Sequence, residues 1–156
     1  MADTGVDIRP MDVGSAHQVA ALEQACFSDP WSLNSILGEL FDKSAHYLTA
    51  QREGRVLGYL GMHRVLDEGY ITNLAVSPAC RRQGIARILL RALIDHARKE
   101  EMAFLTLEVR PTNLGAIALY SGEGFLPAGL RKNYYSHPVE DAVIMTKTLV
   151  GYSHST

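Results

Sequence analysis

A strand, a glycine-bearing turn and a long amphipathic helix follow one another between residues 70 and 99. Tyr70–Val76 mixes β-branched and apolar residues, as strands do, and Pro78 ends it because proline cannot donate to a β-ladder. Beyond the turn, apolar residues recur at the spacing that gives a helix one buried face: Ile85, Ile88, Leu89, Ala92, Leu93 and Ala97. The sequence therefore predicts a strand–turn–helix unit whose helix is buried along one side.

The turn itself, Arg81–Ala86, has the features of an anion-binding site. The first amides of a helix have no acceptor within it and lie at the positive end of its dipole, so they can hold a phosphate. Gly84 permits close backbone approach, and residues 81–99 carry six basic side chains against one acid, in a chain of net charge −2. The Walker and dinucleotide-binding patterns are both absent. Many such turns bind nothing, but the local charge favours an anionic ligand.

Composition indicates a globular protein with one core. Of 156 residues, 47% are hydrophobic and 21% charged, so we expect one domain over residues 1–150 and a frayed tail at 151–156. The near-neutral charge gives no reason to expect direct nucleic-acid or membrane binding, and no signal-peptide pattern is seen, which predicts a cytoplasmic protein. Cys26 and Cys80 are expected to be free thiols, and the six histidines lack metal-ligand spacing, so no metal site is expected. The oligomeric state is not predicted.

The remaining patterns complete an α+β domain. Hairpin turns are predicted at Glu53-Gly54 and at 67–69, and a loop at 136–141. Ser15, Ser32 and Asn113 are the predicted caps of helices over 15–27, 32–41 and 114–123. Further strands are predicted at 6–10, 46–52, 56–64, 104–110, 126–135 and 142–149. The order strand, helix, strand over 70–110 predicts a crossover between parallel strands, which often diverge and open a ligand crevice at their carboxyl ends.

Taken together, these segments resemble the GNAT family of acyl-CoA-dependent N-acetyltransferases. The most specific part is the strand ending Asn73-Leu-Ala-Val76 with the turn Arg81-Arg-Gln-Gly-Ile-Ala86. The resemblance implies a mixed, mostly antiparallel sheet flanked by about four helices, and acetyl-CoA as the donor. It also implies that the turn binds the coenzyme pyrophosphate through Arg82, Gln83, Gly84, Ile85, Ala86 and Arg87, and that Leu74, Ala75 and Val76 pair with its pantetheine. Ala86 stands where many members have glycine, a departure the family tolerates.

Downstream segments are similar to the bacterial RimI-type ribosomal-protein-alanine N-acetyltransferases of that family. They include Leu107–Asn113, Ala116–Tyr120 and Arg131–Tyr135, and Phe27–Ser32 near the N-terminus is similar as well. The resemblance implies that the acceptor is the N-terminal alanine of a small-subunit ribosomal protein. By position it also implies Glu108 as general base, Tyr120 as general acid and Asn113 as a coenzyme contact.

The chemistry fits these roles, although each residue has a plainer interpretation. From the residues alone, Glu108 could be a solvated strand carboxylate and Tyr120 a core residue. Trp31 could pack the core edge or line the acceptor site, to which Tyr134 and Tyr135 are also assigned. An α-ammonium with a pKa of about 7.8 is roughly a tenth neutral near pH 7, so it asks less of a base than lysine does.

A direct attack in a ternary complex accounts for the reaction without a covalent acetyl-enzyme. A glutamate with a pKa near 4.3 is a poor direct proton acceptor, so we expect partial burial or a relaying water. A tyrosine with a pKa of about 10 lies roughly 1.5 units above a thiol, so protonating the thiolate costs about 2 kcal/mol. An amide at Ala75 or Val76 is expected to stabilise the oxyanion.

Two other functions stay open at this stage. One keeps the fold and changes the acceptor to lysine, a polyamine or an antibiotic amine. The other is a non-catalytic acyl-CoA-binding module that regulates a partner. Glu108 and Tyr120 argue against the second, because a protein that only binds the coenzyme needs neither.

Overall fold

A computed structural model describes residues 5–149. In chain order that part of the protein forms β1 (Asp7–Pro10), α1 (Val13–Cys26), α2 (Leu33–Leu40), β2 (Ala45–Arg52), β3 (Arg55–Val65), β4 (Glu68–Val76), a 3-10 turn (Pro78–Cys80), α3 (Ile85–Lys99), β5 (Phe104–Val109), α4 (Leu114–Gly122), β6 (Leu126–Ser136) and β7 (Val139–Thr148). The predicted α+β class with about four helices is confirmed. The predicted tail at 151–156 lies outside the described residues. Within residues 5–149, no helix has the length and apolar character needed to cross a membrane.

The strands form one seven-stranded sheet in the order β1-β2-β3-β4-β5-β7-β6. β4 and β5 run parallel and pair over Glu68–Tyr70 and Phe104–Thr106. The β1–β2, β2–β3, β5–β7 and β6–β7 pairs are antiparallel. The sheet is therefore mixed and mostly antiparallel, as predicted, and α3 provides the predicted crossover between two parallel strands.

Packing divides the chain into two compact units. The first comprises the residues up to Arg64 together with Ile71–Leu93, and the second comprises Val65–Tyr70 together with the residues from Ile94 onward. The first has its own core, in which apolar side chains of α1, α2 and the strands are buried: Met11, Ala16, Val19, Leu22, Ile36, Tyr47, Val56, Tyr59 and Ala75. In the second, Leu105, Leu107, Phe125 and Met145 are almost fully buried. The single domain over 1–150 stays a prediction.

The helix α3 confirms the predicted amphipathic pattern with a small rotation of its buried face. Ile85, Leu89, Leu93 and Ala97 are buried as expected. Ile88 and Ala92 are only half-buried, whereas two residues outside the predicted face, Leu90 and Ile94, are buried. The buried face of α3 therefore also includes the residues that directly follow Leu89 and Leu93, and it is rotated about the helix axis relative to the predicted face.

The helix caps are as predicted with one correction. Ser32 caps α2 by accepting the Ser35 N–H at 3.1 Å, and Asn113 caps α4 by accepting the Ala116 N–H at 3.1 Å. The cap of α1 is Asp12 instead of Ser15, because Asp12 Oδ1 accepts the Ser15 N–H at 2.8 Å. Ser15 Oγ in turn accepts the Asp12 N–H at 2.9 Å, so the two residues form a capping box.

Two turns differ from the prediction, and one agrees with it. The β2–β3 turn is at Glu53-Gly54, with φ of 53° and 79°, the left-handed pair that a two-residue hairpin turn requires. The next turn is at 66–67 instead of 67–69, because Glu68 and Gly69 already pair with β5. The predicted loop at 136–141 is too long, because only residues 137–138 form a turn. β6 runs to Ser136 and pairs there with Val139, the first residue of β7.

Candidate active site

The turn before α3 has the backbone shape of an anion-binding loop. Arg82 and Gly84 both have positive φ, 65° and 77°, in the left-handed region. A Cβ added at Gly84 would meet no atom within 4 Å, so backbone conformation and not space favours glycine there. The Ile88 N–H donates to the Gly84 carbonyl at 3.1 Å, which makes the amides of Ile85 and Ala86 first-turn amides with no acceptor inside the helix. This donor set suits a diphosphate.

Arg81 fixes the start of this turn to the end of β4. Its Nε donates to the Val76 carbonyl at 3.3 Å, and its Nη2 lies 3.7 Å from the Cys26 sulfur. The Cys26 thiol also donates to the Val76 carbonyl, at 3.5 Å. One of the basic residues in the sequence cluster therefore holds the turn in place. The Arg82 and Arg87 residues are exposed.

Glu108 is a mostly buried, ion-paired carboxylate on β5. Its side chain is 13% exposed, and its Oε2 accepts the Arg131 Nε–H at 2.8 Å. The hydrogen bond to Glu108, reinforced by its charge, raises the pKa of Arg131. The interpretation of Glu108 as a freely solvated strand residue is therefore wrong. The β6–β7 register brings the two side chains together, since Arg131 pairs with Ala142 while Glu108 pairs with Ile144.

Tyr120 is buried in the second unit. It is 7% exposed, and its ring meets that of Phe125 edge-on, with the centroids 5.5 Å apart. Burial, and to a smaller extent the nearby Tyr135, raises the pKa of Tyr120. Proton transfer to a thiolate would then cost more than the roughly 2 kcal/mol expected of an unperturbed pair, unless burial raises the pKa of the thiol as well.

The end of β6 carries an aromatic pair held by an arginine. The Tyr134 and Tyr135 rings meet edge-on at 5.0 Å, and the Arg110 guanidinium lies 4.2 Å from the centre of the Tyr135 ring. Arg110 Nη1 also donates to Glu140 at 2.9 Å and to the Pro138 carbonyl at 3.0 Å. Tyr134 remains 52% exposed. Burial is the main cause that raises the pKa of Tyr135 to about 12.

Comparison with known proteins assigns the chain to a family. The profile of the acetyltransferase (GNAT) family matches residues 16–125. The chain belongs to the GNAT family. It is 39% identical over 126 residues to the [ribosomal protein bS18]-alanine N-acetyltransferase of Escherichia coli K12, covering 80% of this chain and 84% of that protein. It is 36% identical over 152 residues to the N-alpha-acetyltransferase RimI of Mycobacterium tuberculosis, covering 90% of this chain and 94% of that protein.

A solved structure agrees with this assignment. The crystal structure of the ribosomal-protein-S18-alanine N-acetyltransferase from Escherichia coli has a TM-score of 0.88 and 32% identity, covering 97% of this chain and 98% of that one. The predicted resemblance to the RimI-type GNAT enzymes is confirmed. This GNAT chain is thus an N-acetyltransferase, and acetyl-CoA is its donor.

The other predicted site residues have structural roles in this GNAT chain. The Asn113 side-chain oxygen caps α4, which leaves its NH₂ group as the donor for a coenzyme contact. The backbone N–H of Trp31 donates to Glu23 Oε1 at 2.9 Å, and the indole is half-buried against the core of the first unit. Packing at the core edge is therefore observed for Trp31. A role in acceptor binding stays a prediction for Trp31, as for Tyr134 and Tyr135.

The predicted residues are divided between the two compact units of the GNAT chain. The first contains Trp31, the strand end Leu74–Val76 and the turn Arg82–Arg87. The second contains Glu108 and Asn113 together with three tyrosines: Tyr120, Tyr134 and Tyr135. The assigned functions of these residues stay predictions. Both cysteines are free thiols, as expected.

The sequence did not indicate two ion pairs and one buried acid that the structure contains. The pairs Glu108–Arg131 and Arg110–Glu140 depend on strand register, which no spacing in the sequence reveals. The buried acid is Glu23, which is 1% exposed. The sequence signal that could have indicated its burial is its position directly after the apolar Leu22.

A cluster of metal-ligand type lies elsewhere in the first unit. Ligand atoms of Glu39, Asp42 and His63 lie within 4.8 Å of one another. His63 Nε2 is 3.0 Å from Glu39 Oε2 and Nδ1 is 3.8 Å from Asp42 Oδ2, so both ring nitrogens face carboxylates. The expectation that the protein has no metal site stays a prediction.

Proposed function

We propose that this GNAT enzyme transfers the acetyl group of acetyl-CoA to the α-amino group of the N-terminal alanine of ribosomal protein bS18. The observation that carries the proposal is 39% identity with an Escherichia coli enzyme named for that activity, over 80% of the chain. The position of Glu108 supports it, because Arg131 holds its largely buried carboxylate in one place, as a general base requires. A ribosomal acceptor implies that the enzyme works in the cytoplasm.

The donor is held mainly by backbone groups in this proposal. The first-turn amides of α3 bind the pyrophosphate, and Arg82 and Arg87 add positive charge. The strand end Leu74–Val76 pairs with the pantetheine. An amide at Ala75 or Val76 stabilises the oxyanion that forms when the amine attacks the thioester carbonyl.

Proton transfers accompany the change of bonds. The acceptor nitrogen forms a bond to the acetyl carbon, and the bond from that carbon to the coenzyme sulfur breaks. Glu108 removes the proton from the nitrogen, directly or through a water, and Arg131 keeps the carboxylate in position. Tyr120 donates a proton to the departing thiolate, and solvent restores it.

A peptide with both kinds of amine tests the proposal. The purified enzyme is incubated with acetyl-CoA and a peptide that begins with alanine and contains one internal lysine. The control peptide is identical except that its α-amine is blocked. Tandem mass spectrometry is expected to find the acetyl group on the N-terminal nitrogen of the first peptide and no product from the second. Modification of lysine in both peptides would identify a lysine acetyltransferase and overturn the proposal.

A further inference from the structure

A buried chain of hydrogen bonds in the first unit starts at Glu23. This carboxylate on α1 is 1% exposed. Its Oε1 accepts the backbone N–H of Trp31 at 2.9 Å, and its Oε2 accepts a hydrogen bond from the hydroxyl of Tyr59, a β3 residue that is itself 1% exposed. The Tyr59 hydroxyl also bonds the side chain of Asn73 on β4.

The direction of each bond follows from the number of protons available. The Tyr59 hydroxyl donates its single proton to Glu23 Oε2. The Tyr59 oxygen can then only accept, and Asn73 must present its NH₂ group to it. Burial and the bond to Glu23 raise the pKa of Tyr59, whereas the bond with Asn73 lowers it. The orientation of the Asn73 amide is thereby fixed.

One hydrogen-bond acceptor in this chain of bonds, the side-chain oxygen of Asn73, has no donor within the described part of the protein. With its NH₂ group turned toward Tyr59, Asn73 points its carbonyl oxygen away, and no protein donor among residues 5–149 reaches that buried atom. A buried carbonyl without a donor is unfavourable, so each such group calls for an explanation. Asn73 directly precedes Leu74–Val76, the strand end assigned to the pantetheine.

We propose that Asn73 binds the acceptor amine, with its Oδ1 accepting one N–H of the α-amino group that attacks the thioester. The inference rests on the proposed function. A neutral amine has N–H donors and one lone pair, so holding an N–H on a fixed carbonyl orients the lone pair. Glu23 and Tyr59 are positioning residues that act through Asn73. The pantetheine amide is the other possible source of an N–H, and the experiment separates the two.

A neighbouring pair provides the matched control. Tyr47 stacks on Tyr59 with the rings 6.2 Å apart and 8° from parallel, and its hydroxyl donates to Glu39 at 3.3 Å. The Thr72 side chain bonds the Tyr47 hydroxyl. Thr72→Val and Tyr47→Phe thus each remove a side-chain hydrogen bond of the same kind that does not involve Asn73.

The test compares Asn73→Ala with Thr72→Val. The KM for the acceptor is measured with the alanine peptide and with a lysine peptide, and the Kd for acetyl-CoA is measured by calorimetry. We expect Asn73→Ala to raise the acceptor KM about tenfold to a hundredfold, as loss of a hydrogen bond to an amine does. The Kd for acetyl-CoA is expected to stay unchanged, and Thr72→Val to leave both constants unchanged.

Each alternative result overturns the inference. An unchanged acceptor KM in folded Asn73→Ala removes the contact, and a raised Kd for acetyl-CoA alone reassigns it to the pantetheine amide. If Asn73→Ala does not fold, Tyr59→Phe is measured instead, because it removes the hydroxyl that holds the Asn73 amide. The inference then requires the acceptor KM of Tyr59→Phe to exceed that of the control Tyr47→Phe. If the wild type acetylates only the lysine peptide, the proposed function fails, and the KM comparison on that peptide still decides the role of Asn73.

Discussion

Residues 74–87, which we propose bind acetyl-CoA and call the donor segment, and the β6–β7 hairpin are built in opposite ways. The donor segment is continuous in sequence and shaped by its backbone, through the positive φ of Gly84 and the start of α3. The hairpin is organised by side chains distant in sequence, such as Arg131 on Glu108 and Arg110 on Glu140. A ligand common to a whole family can be bound by a local backbone shape, whereas the choice of acceptor depends on side chains that can vary.

Exposure follows the same division. The donor segment leads into a helix whose apolar face is buried, with Ile85 and Leu89 at 2% and 0% exposure. The hairpin instead leaves large apolar residues more than half exposed, namely Leu126, Leu130, Tyr134 and Val139. Substitutions in the donor segment should therefore affect both folding and coenzyme binding, whereas those in the hairpin should affect turnover with little effect on folding.

The largest effect is expected from Glu108→Gln, which tests the side-chain half of the comparison. Glutamine has nearly the same size but cannot take up a proton, so kcat should fall about 10²- to 10⁴-fold. The Kd for acetyl-CoA should be unchanged, since the donor segment is untouched. Stopped-flow turnover and calorimetry measure the two quantities. A variant with wild-type kcat would remove Glu108 from the role of base.

Gly58→Ala should perturb the donor segment, because Gly58 packs directly against it. An added Cβ would lie 2.9 Å from the Ala75 carbonyl oxygen and 3.3 Å from side-chain atoms of Val76 and Ile85. Overpacking of this kind costs about 1–3 kcal/mol of unfolding free energy. Because the displaced atoms belong to the donor segment, the Kd for acetyl-CoA should rise as well. Urea unfolding and calorimetry measure both effects.

Gly38→Ala is the control for that substitution. Gly38 lies within α2, and a Cβ there meets nothing within 4 Å, so alanine should stabilise the helix by about 0.5–1 kcal/mol. Equal effects of the two substitutions would show that packing under Ala75 does not shape the donor segment.

The sequence predicted the donor segment more fully than the hairpin for a physical reason. A helical repeat and a glycine in a turn are local patterns, so the amphipathic helix and the glycine-bearing turn before it were predicted from the residues themselves. The pairing of Arg131 with Glu108 requires a register that shifts twice along β6. The hydrogen bonds of Glu23 link α1 to β3, and no local pattern specifies such a contact.

The ionisation of Tyr120 provides a smaller effect, seen at alkaline pH. Burial raises its pKa above the unfolded value of about 10, so its contribution is complete below pH 10 and is lost as the pH rises beyond it. Replacing it by phenylalanine removes one proton from this linkage. Between pH 10 and 11 the unfolding free energy of Tyr120→Phe should therefore fall less steeply than that of the wild type, by about 1 kcal/mol over that pH unit. Parallel slopes in urea titrations would show that Tyr120 ionises freely in the folded state.

The smallest effect is expected from Arg131→Gln, which tests whether the hairpin acts on turnover without acting on folding. The Arg131 side chain is 49% exposed, so solvent screens its ion pair with Glu108, and Tm should barely change. The carboxylate nevertheless loses the group that orients it, and kcat should fall about two- to fivefold, as expected for a screened pair. Arg131→Lys, which keeps the charge but not the guanidinium geometry, should recover part of that loss. A large fall in Tm with unchanged kcat would reverse the assignment, making the pair a structural contact of the kind found in the donor segment.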